Sequence, residues 1–331
     1  MKIRDVKLFI VLICLLPISV WAQFPPAAGQ PGSLAIHKDS SVFVGWATHC
    51  AVAPGWQNIA DTSLGKASVG DSSMAIGVAG TNGVVSLGDG GCAVLTFDYP
   101  IVNGPSWDFA VFENSFSDTF LELAFIEVSS DGENFFRFPA TSLTDTMVQV
   151  GAFDASMDAA KINNLAGKYR AMYGTPFDLQ ELDGTPGLDI NNITHIKVID
   201  VVGSIDTAYA THDAFTHKIN DPWPTPFAAS GFDLDAVGVI HQQPAVIYEN
   251  DDKSYISVYP VPANNYIHVV AGKPLAGHKI SLINVDRKTL KTSYAEDYGA
   301  IIDLSDVPAG IYVINVSDGH RNCIKKVMIV K

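Results

Sequence analysis

Residues 222–240 read PWPTPFAASGFDLDAVGVI, and the last eight of them, from Asp233 to Ile240, read as a strand with two aspartates inside it. Residues two apart in a strand point the same way. Regular alternation therefore puts Asp233, Asp235, Val237 and Val239 on one face and Phe232, Leu234, Ala236 and Ile240 on the other. Strand interiors seldom hold aspartate. If the first face is inward, two carboxylates enter a β-sandwich near one end. Each then needs a proton, loop amides, a cation or a metal.

Working outward, the neighbouring segments are also strands. Residues 91–102 (GCAVLTFDYPIV), 107–114 (WDFAVFEN) and 193–203 (ITHIKVIDVVG) are short apolar runs bounded by turn residues. In 120–140, Leu121, Leu123, Phe125 and Glu127 share one face, and Glu122, Ala124, Ile126 and Val128 the other. Both faces carry apolar side chains, which places this strand inside a sheet. A helix is expected only over 157–174. Many strands with hairpins at turns such as Asp131-Gly132 predict an all-β fold, a jelly-roll-like sandwich over 23–240.

The 331 residues predict about two domains. Charge divides them. Residues 23–248 hold 8 Lys/Arg against 25 Asp/Glu, a net of −17, whereas 249–331 hold 10 against 9, a net of +1. The acidic part repels nucleic acid and anionic membranes and suits cations or uncharged ligands. The polar stretch 241–254 is the expected linker. Residues 1–22 have a basic start, an apolar core and a cleavage site between Ala22 and Gln23, the pattern of a signal peptide. No other stretch is apolar enough to span a bilayer. In an oxidising compartment Cys50 and Cys92 either pair or remain buried thiols, and Cys323 has no evident partner.

Most enzyme signatures are missing. There is no H-E-x-x-H, G-x-S-x-G, P-loop or C-x-x-C. Gly70-Asp71-Ser72 lacks the strand and the later D-x-x-H of a GDS-type lipase. His212, Asp213 and His217 are half a metal site or a polar loop. Glu113, Glu122, Glu127, Asp233 and Asp235 are the carboxylates available to a glycoside hydrolase, which needs two at a set separation. No residue is assigned a catalytic role. Aromatic side chains among turn residues, Trp107, Trp223 and Phe227, stack on sugars or plug the sandwich ends. Tyr169, Arg170 and Tyr173 form a mixed polar and aromatic patch that could line a groove.

Two resemblances add to this. The blocks VYPVPANNYIHV, ISLINVDRKTL, IDLSDVPAGIYVINV and KKVMIVK, in that order over 255–331, resemble the C-terminal sorting domain of the type IX secretion system. That system exports proteins across the outer membrane of Bacteroidetes. Val261 stands where the family usually has Asn, and Arg287 where it often has Gly. The resemblance implies a small immunoglobulin-like β-sandwich, recognition by the export machinery, and a protein at the cell surface or released.

Within 84–240, Ser129-Ser130-Asp131-Gly132 with Phe135, then the closing Leu234-Asp235-x-Val237, resemble the galactose-binding-like β-sandwiches, which include many carbohydrate-binding modules. The SLGDGG and GFDLDAVGVI blocks also resemble a bacterial surface-protein family without an assigned activity. The galactose-binding-like resemblance implies structural Ca²⁺ at Asp235, with Asp233, Asp200, Glu113 and Asn114 as partners. The expectation is an exported, non-catalytic glycan-binding module with Ca²⁺. The alternatives are a carboxylate-dependent glycoside hydrolase and a structural or adhesion component.

Overall fold

A computed structural model describes residues 24–243, 256–285, 288–317 and 322–331. The expected signal peptide, the linker beyond Gln243, Tyr255 and Arg287 lie outside the described residues. The chain divides into two compact units between Gln243 and Pro244.

The strands of the first unit are β1 (Ile36–His37), β2 (Gly45–Trp46), β3 (His49–Ala53), β4 (Val85–Ser86), β5 (Cys92–Ile101), β6 (Phe109–Glu113) and β7 (Ala124–Ser129). They continue with β8 (Phe136–Arg137), β9 (Thr141–Ser142), β10 (Ile162–Asn163), β11 (Tyr173–Phe177), β12 (Ile193–Asp200) and β13 (Asp233–Val239). One sheet runs β1-β11-β6-β13-β2, with β4 also on β13, and the other runs β3-β5-β12-β7-β8. All their pairings are antiparallel.

The two sheets face each other as a β-sandwich. Phe109 and Val111 of β6 and Phe177 of β11 meet Leu95 of β5, Ile126 of β7 and Ile196 of β12 in one core. Phe109 and Phe177 stack with ring centres 5.3 Å apart. Burying each such ring contributes about 1.5–3 kcal/mol. Each sheet is also covered on its back. Leu121, Leu123 and Phe125 pack under the 157–165 segment, and Phe112 packs beneath Phe43 and Trp46. This double burial is why β7 is apolar on both faces.

The expected alternation in β13 does not hold. A register shift between Leu234 and Ala236 inserts a β-bulge. Phe232, Leu234, Val237 and Val239 all join the inter-sheet core, and Ala236 joins the outer layer with Phe112. Asp235 is thereby kept off the core face. The helix expected over 157–174 is also absent. A short 3-10 turn, Ala159–Lys161, leads into β10, because Asp158 caps that turn and Asn164 takes a positive φ of 52°.

Cys50 and Cys92 do not form the disulfide considered above; both thiols are free. In the β3/β5 ladder Cys50 lies opposite Leu95 and Cys92 opposite Ala53. Three ladder positions separate them, so they point to opposite faces. Cys50 packs against the core, and burial pushes its thiol up to about 11.

The second unit holds β14 (Ile256–Tyr259), β15 (Tyr266–Ala271), β16 (Lys279–Ile283), β17 (Thr289–Tyr294), β18 (Gly299–Asp303), β19 (Gly310–Ser317) and β20 (Asn322–Ile329). They form sheets β14-β15-β18 and β17-β16-β19-β20 around a separate core that includes Ile267, Ile280, Leu282, Ile302 and Ile314. The described residues are thus nearly all β, and among them no helix is long and apolar enough to cross a membrane.

Candidate functional site

Three inward-facing rows of the sandwich end in carboxylates at the same end. Phe109 and Val111 lead to Glu113, Ile196 and Val198 lead to Asp200, and Val128, Ile126 and Ala124 lead back to Glu122. Antiparallel pairing fixes the coincidence: Asp200 lies opposite Ala124, and Leu234 lies opposite Glu113. Asp233 opens β13 at this end, and Asp221 and Asp89 arrive on loops.

Loop amides hold most of these groups. Asp200 accepts from Phe232 N at 2.8 Å and Gly90 N at 3.0 Å. Asp221 accepts from Leu123 N at 2.9 Å, and Glu113 from Ser115 N at 2.7 Å. Ser86 Oγ donates to Asp233, while Ile59 N and Trp223 Nε1 donate to Asp89 at 2.8 and 3.1 Å. The backbone is shaped around them. A Cβ on Gly231, whose φ is +68°, would collide with Asp200 Oδ1, and one on Gly203 would collide with Asp221 Oδ1.

Glu122 is different. It is only 8% exposed, and no hydrogen bond or ion pair among the described residues reaches its carboxylate. Burial, then the charges of Asp233 and Asp200, push it well above the usual carboxylate range. Burial and the charges of Glu122 and Asp233 do the same to Glu113. Asp200 and Asp221 are also raised by burial and by their neighbours, and burial pushes Asp233 up to about 6. No Lys, Arg or His side chain among the described residues forms an ion pair with these acids. Asp108, at the other end of β6, shows the partnered alternative. It accepts from Gly104 N and Leu179 N and pairs with His241 Nδ1 at 2.8 Å.

The ligand set that the galactose-binding-like resemblance implied is therefore redistributed. Asp200, Glu113 and Asp233 come together, joined by Glu122, Asp221 and Asp89. Asp235 does not join them. Both its oxygens accept from Gly80 N at 2.9 Å, with Lys38 adding attraction, so it caps a loop on the outer face of the sheet. Asn114 contributes its backbone amide to Glu113. Among the described residues no group of three or more His, Cys, Asp or Glu side chains is placed to hold a metal ion. Asp221 and Asp89 were absent from the sequence reading, although the NDPW and SLGDGG stretches that carry them are the available signal.

The remaining acids and histidines have separate tasks. Glu127 pairs with Arg137 at 2.8 Å across the β7/β8 ladder. Asp213 accepts from the amides of Ser142, Phe215 and His217, with His217 Nδ1 at 3.1 Å, the arrangement of a capped polar loop.

The aromatic candidates fall in three places. Trp223 stands beside the carboxylates through Asp89, with Tyr209 packed 6.1 Å from its ring. Its backbone N donates to Val150 O, which ties the 220s loop to the 147–154 loop. There Phe227, 41% exposed, meets Phe153, 79% exposed, at 5.4 Å. Arg170 covers Tyr173 at 4.7 Å, binds Asp118 and Ala28 O, and leaves Tyr173 against His37. Tyr169 is buried and lines no groove. Trp107 precedes β6, at the end opposite Glu113.

Residues 257–330 match the secretion system C-terminal sorting domain family. None of the curated proteins matches the chain. Among solved structures, PorZ, a surface component of the type-IX secretion system of Porphyromonas gingivalis, aligns with TM-score 0.20 and 12% identity over 29% of this chain and 14% of its own. A biofilm associated protein (BSP domain) aligns with TM-score 0.21 and 11% identity over 88% and 53%. Ruminococcus gnavus beta-glucuronidase gives 0.16 and 11% over 88% and 44%. The chain thus spans less than two thirds of each of these structures, and likeness this slight places the acidic unit in no fold family. The sorting domain carries the firm conclusion. The protein is exported by the type IX secretion system to the outer surface or the medium, as a sorting domain of this family implies.

Proposed function

We propose that this exported protein is a non-catalytic binding module that takes a neutral, polyhydroxylated ligand, a glycan, on the loops beside its carboxylate end. The observation that carries this reading is the exposed Phe153/Phe227 ring pair next to Trp223 and Tyr209. Large rings held in water by turn residues lose apolar hydration when a sugar face stacks on them. The surrounding unit is strongly acidic, with a net of −17 over 23–248, which disfavours anionic ligands.

The purified chain, applied to an array of neutral and acidic glycans, should bind a subset of the neutral ones. Phe153→Ala with Phe227→Ala should remove that binding. No binding to any glycan, or binding that survives the double substitution, would defeat the proposal. Release of reducing ends from a bound glycan would instead establish carboxylate-dependent hydrolysis.

A further inference from the structure

We propose that the groove beside β18 in the second unit is a docking site for an extended basic segment of another protein. The segment adds to β18 as a strand and seats an arginine or lysine side chain among Tyr294, Tyr298 and Glu296. The groove has a volume of about 480 Å³ and lies within the residues that match the sorting domain family. It does not depend on whether the acidic unit takes a glycan.

The first support is the edge itself. β18 closes the sheet β14-β15-β18 and, among the described residues, pairs with no strand other than β15. One-sided pairing leaves alternate N–H and C=O groups of β18 facing outward without a partner strand. Natural sheet edges are commonly guarded by lysine or proline. The unit's other edge strands follow that rule: β14 runs into Pro260, β17 carries Lys291, and β20 carries Lys325 and Lys326. β18 reads Gly299-Ala300-Ile301-Ile302-Asp303, with neither. Ile301 is 62% exposed and lies opposite His268, whose ring is flanked by Tyr259 and Tyr266 at 5.2 and 5.4 Å. An extended segment laid here gains main-chain hydrogen bonds and an apolar contact together.

The second support is charge. Tyr294 and Tyr298, 64% and 57% exposed, line the groove together with Glu296. No Lys, Arg or His side chain among the described residues forms an ion pair with Glu296, and Asp297 follows it directly. A carboxylate that shares a groove with two tyrosine rings suits a basic side chain, which pairs with the acid and stacks on a ring. The same charge argues against the chain's own linker as the occupant. Residues 244–255 hold Glu249, Asp251 and Asp252 against Lys253, so like charges would meet. The occupant therefore comes from another protein, in keeping with a unit whose family is defined by sorting.

The test is fluorescence polarisation on the purified full chain. The probes are labelled octapeptides of alternating valine and threonine with one central arginine, glutamine or glutamate. The arginine peptide should bind at least about tenfold tighter than the glutamate peptide, and the difference should shrink as salt rises. Glu296→Gln should erase that difference, and Tyr294→Ser with Tyr298→Ser should weaken the arginine peptide at least about fivefold. Methylating every backbone nitrogen of the peptide should abolish binding, because it removes the donors that pair with β18. No binding of any peptide, equal affinity for the three charges, or indifference to methylation overturns the site. So does a concentration-dependent dimer of the full chain that the tyrosine substitutions abolish, which would make a second copy the occupant. If a variant does not fold, the three peptides on the wild-type chain decide the matter.

Discussion

Leu234 and Val237 face the same core although three positions separate them, because the bulge between Leu234 and Ala236 gives the strand one extra residue. The bulge reconciles an aspartate-bearing sequence with an apolar inner face. Substitutions should follow the bulged register. Asp235→Ala leaves the Gly80 amide without its acceptor and should cost about 1–3 kcal/mol. Val237→Asp puts a charge among fully buried side chains and should abolish folding. Urea unfolding monitored by tryptophan fluorescence measures the first, and soluble yield the second. A Val237→Asp variant that folds with near-native stability would contradict the bulged register.

The two thiols of the acidic unit should behave independently. At pH 8 a thiol whose pKa is about 11 is roughly one-thousandth thiolate, so Cys50 should resist iodoacetamide. Its rate should rise about tenfold per pH unit until the pH approaches 11. Cys92, facing away from the core, should react faster. Peptide mass spectrometry of the unreduced, exported protein should find both thiols free, and a Cys50–Cys92 crosslinked peptide would contradict the ladder register.

Gly231→Ala should be among the most damaging small substitutions. An alanine at φ +68° is strained, and its Cβ would strike Asp200 Oδ1. A loss of at least about 2 kcal/mol is expected from the conformation and the displaced carboxylate together. Ala at Gly184, where φ is +75° and nothing lies within reach of a Cβ, should cost only the conformational part. Denaturant midpoints of the two variants compare these directly, and equal losses would show that the Asp200 contact is unimportant.

Removing residues 255–331 deletes the sorting domain together with the whole second core. The acidic unit has its own separate core and should still fold. It should then accumulate in the periplasm. Cell fractionation with surface proteolysis reads this, and surface display of the truncated chain would contradict the role of the tail.

The exposed rings should matter for ligand and not for stability. Phe153→Ala and Phe227→Ala remove side chains that are 79% and 41% exposed, so each should change stability by no more than about 0.5 kcal/mol. A melting shift of many degrees would show that the pair is structural packing.

What the sequence determined by itself was local or linear. Four ordered blocks in the tail identified the export address, and residues 257–330 carry the matching family. Period-two alternation over 121–128 placed Leu121, Leu123 and Phe125 apart from Ala124, Ile126 and Val128, as the two cores confirm. Such patterns survive in one dimension because a strand repeats every two residues whatever its neighbours do. Only the tertiary structure decided which way Asp235 points, since a bulge is an irregularity of pairing between two strands. Only it could separate Cys50 from Cys92, through a register three positions out of step. And only it brought Glu113, Glu122, Asp200, Asp221 and Asp233 to one end of the sandwich. Their convergence follows from antiparallel partners and loop closure across more than a hundred residues, and side-chain electrostatics act through space, which the order of residues does not measure.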